Sequence, residues 1–314
     1  MAIKKKESSF DFPKSIDNRD LIGHSATASA FLDAWKKRDE YPIHPVWLLT
    51  GPRGIGKATL AYNLTRRIFS DLTGREIDEI AEQMSAGGIG DLFIIDLDHN
   101  ITRDSKPLKS ITIETIRGMI EKMRMSSMAE SWRVAIVDSL DELSRDTPNT
   151  LLKTLEEPPK KTIFFLIAHS LDRVLPTIRS RARVEKLRPL SSMELREIAN
   201  RLLPGKEIDD DLIKISGGSF GRIANMVASG ADGFFNETIR ILSDVMANSS
   251  DYLLLAKKIA AAPENISILA DVAAHFGLAE LYPSVVRDIA RMNDVHLDPE
   301  TSAYKIIVGI KKCL

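Results

Sequence analysis

Five short runs of apolar, β-favouring residues punctuate the first part of the chain: Val46–Thr50, Leu92–Asp96, Arg133–Asp138, Thr162–Ala168 and residues 184–187. Their near-continuous hydrophobicity is the pattern of strands buried on both faces, as in a parallel sheet. Between these runs the period changes to that of a helix. Residues 58–69 follow a glycine loop. Ile113, Ile116, Ile120 and Met123 recur at spacings of three and four, with Thr112 placed as an N-cap and Glu114 in the first turn. Leu151, Leu152 and Leu155 mark another helix, which the Pro158-Pro159 pair ends. Strands alternating with helices imply βαβ units with right-handed crossovers, and predict an α/β domain over residues 1–187.

After Arg188-Pro189 no further β-branched run stands out. Residues 192–203 and 209–215 read as short amphipathic helices, and the turn Gly217-Gly218-Ser219 separates them from a third. From about residue 230 the pattern stays helical, with breaks expected at Pro263 and Pro283. The prediction is a small helical lid over 188–229 and an all-α domain over 230–314. That last stretch is short for a full helical bundle, as in a truncated chain. No internal repeat or low-complexity tract is visible.

Composition narrows the class. The 314 residues are 44% hydrophobic and 28% charged, which is ordinary for a folded globular chain and argues against long disorder. Forty-three Lys and Arg against forty-four Asp and Glu leave a net charge of −1, so no global basic field announces a nucleic-acid binder. The single cysteine, Cys313, excludes an intrachain disulfide framework and a four-cysteine zinc module, and fits a cytoplasmic location. No apolar run approaches the roughly 18–20 residues of a membrane span. The N-terminal MAIKKKESSFDFPKS has charge but no apolar core, and is not expected to be a secretory signal.

Two strand ends carry chemistry. Gly51-Pro52-Arg53-Gly54-Ile55-Gly56-Lys57 follows the strand VWLLT and opens the next helix, the context of a Walker A phosphate loop. Glycines let backbone N–H groups turn around phosphate oxygens, the helix N-terminus adds its positive dipole end, and the lysine reaches the β- and γ-phosphates. The motif ordinarily continues with Ser or Thr, whose hydroxyl ligates Mg²⁺; here Ala58 stands in that place. Thr59 is about 100° further round the helix and is not an obvious substitute. ATP or ADP binding is therefore expected to be weak or absent, and magnesium to be held poorly.

RVAIVDSLDEL ends its strand in Asp138, as a Walker B strand does, and such an aspartate helps to hold Mg²⁺. Ser139 follows where an ATPase of this kind carries a catalytic glutamate. Asp141 and Glu142 are nearby, but are expected to cap the next helix or face solvent, the default for charged side chains. The nucleotide-binding set is thus Gly51, Pro52, Arg53, Gly54, Ile55, Gly56, Lys57, Ala58, Thr59 and Asp138, with no resident metal.

Further strings resemble clamp-loader AAA+ proteins. TPNTLLKTLEEPP (147–159) resembles the signature that follows Walker B in that family, and VLPTIRSRARVEKLRPL (174–190) its SRC element. LIGHSATASAFLDAW (21–35) is similar to the segment that packs against adenine. GDLFIID and KSITIETIR (90–96 and 109–117) resemble a pair found in the delta-prime family of bacterial DNA polymerase III clamp loaders. The resemblance spans roughly residues 20–225 and implies an α/β P-loop AAA+ domain with a parallel sheet, a helical lid and an all-α collar. It implies a hetero-pentamer with gamma/tau and delta subunits, acting with a sliding clamp on primed DNA and with no membrane.

In that family the SRC arginine reaches a neighbour's ATP. By resemblance Arg181 is an arginine finger acting in trans, where a guanidinium stabilises charge on the transferring phosphoryl group. The plainer reading of Arg179, Arg181 and Arg183 is a basic surface cluster, or arginines paired with acids of their own domain. Ala182 replaces the motif's cysteine. Many relatives carry zinc-binding cysteines in the region of 70–90; none is present here, so no structural zinc is expected. GSFGR (218–222) sets Gly221 where a sensor arginine would stand and Arg222 one residue later, and neither His169 nor Ser170 has a readable role.

Two functions compete. One is an accessory delta-prime-type subunit without independent ATPase activity, which helps to load the clamp. The other is an active gamma/tau-like ATPase, which would need Asp138 and water to hold Mg²⁺ and Asp141 or Glu142 to position the attacking water. A small-molecule P-loop kinase leaves LLKTLEEPP and the SRC-like element without a role.

Overall fold

The computed structural model describes residues 12–97, 110–125, 131–144, 147–261, 266–278, 280–295 and 298–314. The chain divides into two compact units. One is Pro13–Glu194; the other comprises Leu195–Leu314 and includes Phe12, whose ring meets Phe220 edge-on at 6.2 Å.

The first unit contains α1 (Ser25–Lys36), β1 (Val46–Thr50), α2 (Lys57–Thr73), α3 (Ile77–Ser85), β2 (Leu92–Asp96), α4 (Ile113–Met125), β3 (Arg133–Asp138), α5 (Thr147–Glu156), β4 (Thr162–Ala168), the one-turn α6 (Pro176–Arg179) and β5 (Arg183–Lys186). The strands form one parallel sheet in the order β2-β3-β4-β1-β5. Four strands have the limits the sequence predicts, and the fifth, predicted over 184–187, both begins and ends one residue earlier.

Burial on both faces holds for β1, β3 and β4, whose side chains alternate between two cores. Trp47, Leu49, Val134, Ile136, Ile163, Phe165 and Ile167 face α1, α2 and α3. Val46, Leu48, Ala135, Val137, Phe164, Leu166 and Ala168 face α4 and α5. Two helical layers around a parallel sheet account for apolar residues at successive positions. The outer strands β2 and β5 correct the expectation of burial on both faces. β5 bonds on one side only, to β1, and its Arg183 and Lys186 are exposed. Lying at an edge, it tolerates charge.

The register puts Thr50 opposite Ala168 and Asp138 opposite Ile167, so the segments after β1, β3 and β4 leave the sheet at one level. This is the end where ligands bind to open parallel sheets. The α4 periodicity and its cap are as read: the Thr115 N–H donates to Thr112 Oγ1 at 3.4 Å. Arg66, fully buried on α2, donates to the carbonyls of Asn18 at 2.8 Å and Ile16 at 2.5 Å, which ties the segment before α1 to the domain.

The boundary between the units falls within α7 (Ser192–Leu202). The second unit then holds α8 (Asp210–Ser216), α9 (Phe220–Ser229), α10 (Ala231–Ser243), α11 (Ser249–Ala260), α12 (Ile268–His275), α13 (Tyr282–Val295) and α14 (Pro299–Lys312). Asp209 and Ser219 cap α8 and α9 by accepting from the N–H of Leu212 and Arg222. Pro283 starts a helix where a break was expected. It is the second residue of α13, where a missing N–H costs nothing because first-turn donors have no intrahelical acceptor. The break expected at Pro263 lies outside the described residues.

Candidate nucleotide-loop site

The loop after β1 is tied to the sheet at both sides. The Gly51 N–H donates to the Ala168 carbonyl at 3.3 Å, and the Leu187 N–H to the Thr50 carbonyl at 2.8 Å. A Cβ on Gly51 would sit 2.5 Å from the Leu187 carbonyl oxygen, so only glycine fits. Gly56, immediately before α2, has φ +96°, the left-handed region that glycine occupies without strain.

Lys57 is the first residue of α2 and is 4% exposed. Its ammonium donates to the loop's own carbonyls, Gly51 at 2.7 Å and Pro52 at 2.6 Å. Burial pulls its pKa down to about 8, opposed by the nearby charges of Asp138 and Asp141. Burial pushes the Asp138 carboxyl up to about 6, reinforced by Asp96 and Glu142. An ammonium has three donors, so these two bonds leave one N–H for a further acceptor such as a phosphate oxygen.

Asp141 and Glu142 do not behave as expected. A single tight turn after β3 folds both back toward the loop. Asp141 accepts the His169 N–H at 2.5 Å, at the end of β4, and its other oxygen is buried without a hydrogen-bond partner among the described residues. Glu142 pairs with Arg53 of the phosphate loop at 3.2 Å. The charges of the loop compete with solvent for these carboxylates, which the exposed-charge default leaves out.

Ser139 is buried, with Oγ 3.4 Å from His169 Nε2. Burial, followed by the charges of Lys57 and Arg53, lowers the His169 pKa. His24, just before α1, contacts the Ile55 carbonyl through Nε2 at 2.7 Å. The sequence assigned no role to His169 and did not mark out His24 within residues 21–35; the only signal was the adjacency of each to a segment read as part of the site. Ser170 begins a short turn and makes no side-chain cap there.

The structure thus brings Gly51 to Lys57, Asp138, Ser139, Asp141, Glu142 and His169 to one place. Ala58 and Thr59 lie in the first turn of α2. Among the described residues, no three His, Cys, Asp or Glu side chains are grouped to hold a metal ion.

Arg181 stands apart from this cluster. Its Nη2 pairs with Glu156 Oε1 at 2.8 Å, and its Nη1 donates to the Thr177 carbonyl at 2.9 Å and to Ser180 Oγ at 3.2 Å. Arg183 lies over the Trp47 ring at 4.2 Å and pairs with Glu185 at 2.8 Å. In the second unit Arg222 is paired with Asp271.

A parallel sheet in this order, with a phosphate loop after β1 and an acid at the end of β3, defines a P-loop AAA+ fold with an all-helical C-terminal region. The family described as DNA polymerase III, delta subunit, matches residues 28–191, just over half of the chain, and the chain belongs to this clamp-loader family. The gamma subunit of DNA polymerase III from Buchnera aphidicola (subsp. Acyrthosiphon pisum) is 31% identical over 199 residues, covering 62% of this chain and 51% of that protein. The delta' subunit from Pseudomonas aeruginosa is 28% identical over 184 residues, covering 55% and 52%. The tau subunit of Bacillus subtilis is 28% identical over 216 residues, covering 66% and 34%. The chain thus spans about half the length of the first two and a third of the last. Among solved structures, a DNA polymerase III gamma-subunit-related protein of Thermotoga maritima superposes with a TM-score of 0.49 at 15% identity, covering 90% of this chain and 99% of that one.

Proposed function

We propose that this chain is a delta-prime-type accessory subunit of a DNA polymerase III clamp loader, and that it supplies Arg181 to a neighbour's ATP. The observation that carries this reading is the departure of its own site from the ATPase pattern: Ala58 follows Lys57, and Ser139 follows Asp138. Without the first hydroxyl, Mg²⁺ lacks a ligand; without a carboxylate at 139, an attacking water lacks its usual base. The phosphate loop retains the backbone and lysine for weak ATP or ADP binding, and zinc has no part.

In this reading gamma/tau and delta subunits are the partners in a hetero-pentamer, residues 188–229 form a lid and 230–314 a collar, and the assembly loads a sliding clamp onto primed DNA in the cytoplasm. The near-neutral net charge is compatible with this, because phosphate contacts are shared with other subunits. The test is ATP hydrolysis by the reconstituted complex. Arg181→Ala should leave the isolated chain folded and depress turnover at one site; unchanged turnover at every site removes the finger assignment.

A second reading, a gamma/tau-like ATPase, is favoured by one observation: Glu142 pairs with Arg53 of the phosphate loop, and Asp141, held at the end of β4, acts by its charge on Lys57. Steady ATP hydrolysis by the isolated chain that disappears in Lys57→Ala would establish it.

A further inference from the structure

Glu156 is the last residue of α5, directly before Glu157 and the Pro158-Pro159 stop. A carboxylate there meets the negative end of the helix dipole, so its position gains nothing from the helix it ends. What it does meet is Arg181. The ion pair at 2.8 Å uses Nη2, while Nη1 is held by the Thr177 carbonyl and Ser180 Oγ. These two terminal nitrogens are the edge of a guanidinium that grips phosphate oxygens. Arg181 is 34% exposed and Glu156 48%, so both are within reach of a partner's surface.

We propose that Glu156 is a holding carboxylate for Arg181, keeping the guanidinium against its own domain until a neighbour's phosphate displaces it. The inference rests on the finger reading above and adds a regulator to it. The exchange is anion for anion: the guanidinium leaves one carboxylate oxygen, a backbone carbonyl and the Ser180 hydroxyl and meets phosphate oxygens instead, with no change in protonation. A half-exposed ion pair is a weak restraint, so Glu156 sets a threshold and does not block engagement. A triphosphate, carrying more charge than one carboxylate, wins when it is presented.

The experiment uses the complex reconstituted with partner ATPase subunits whose own finger arginines are replaced by alanine, so that only the site facing Arg181 turns over. Glu156→Gln removes the negative charge with little change of shape. It should lower the KM for ATP about two- to five-fold, the size expected of such a pair, with kcat little changed. Glu156→Asp, which keeps a carboxylate, should stay close to the parent. In the Arg181→Ala background Glu156→Gln should have no effect on KM for any residual turnover or on ATP-dependent complex formation. A KM that is unchanged or raised by Glu156→Gln, or an effect that survives Arg181→Ala, overturns the proposal. If Arg181→Ala alone changes nothing, the finger reading fails first and takes this inference with it; if that arm behaves and Glu156→Gln is silent, only the inference fails. Thermal unfolding of the isolated Glu156→Gln chain reads out any structural role, and a large loss of stability without a KM shift also counts against it.

Discussion

His24 Nε2 lies 2.7 Å from the carbonyl oxygen of Ile55, joining the entrance of α1 to the phosphate loop across 31 residues of sequence. The ring is 7% exposed, and burial lowers its pKa below 6.5. A neutral imidazole with its proton on Nε2 donates to that carbonyl. Because the folded pKa is depressed, the contribution is complete above pH 6.5 and is lost as pH falls through the folded value. His24→Ala should cost about 1–2 kcal/mol in urea unfolding at pH 8, and the difference from the parent should shrink at pH 5. A difference that grows on acidification would contradict the neutral donor.

Asp138 titrates in the opposite sense. Its carboxyl is raised to about 6 by burial and by Asp96 and Glu142. A carboxyl raised in the folded state disfavours folding once ionised, and the penalty disappears as pH falls toward 3.8. Asp138→Asn should therefore stabilise the chain at pH 7.5 by about 1–3 kcal/mol, with the gain vanishing near pH 4. Chemical denaturation across that range measures it.

Gly51 leaves no room for a side chain. Gly51→Ala places a Cβ 2.5 Å from the Leu187 carbonyl oxygen, in the backbone link between the loop and the segment after β5. Overpacking against backbone should cost about 2 kcal/mol or more. Gly74, where an added Cβ meets nothing within 4 Å but φ is +68°, provides the comparison for strain without a clash. Equal losses in the two alanine variants would mean that the close approach to Leu187 is relieved at little cost.

Restoring the hydroxyl after Lys57 should restore metal dependence. Calorimetry of ADP binding to the parent should give weak affinity that differs less than about two-fold with and without Mg²⁺, whereas Ala58→Thr should gain about ten-fold in the presence of Mg²⁺. An equally strong Mg²⁺ effect in the parent would show that Thr59 or Asp138 already holds the metal.

The sheet was legible because parallel strands buried on both faces leave continuous apolar runs, and β1, β3 and β4 do so. β5 was legible only through its small apolar content: pairing and position set its burial, and neither is written in a four-residue window. The strand–glycine loop–helix motif was visible because its residues are contiguous. Asp141 and Glu142 were misread for the converse reason. Their partners, His169 and Arg53, are 28 and 89 residues away, and only the sheet order brings them together. Arg181 stood out by its string, with no role yet tested, but Glu156 beside it did not, since the last residue of a helix gives no hint of which side chain will reach it.

Lys57 serves its own loop before it serves any ligand. With its ammonium spanning the Gly51 and Pro52 carbonyls, the turn carries an internal cation in the position of a template, and its polar backbone is satisfied from within. A neutral side chain at 57 would leave the Gly51 and Pro52 carbonyls without this donor, so the loop's internal support and its positive charge are lost together.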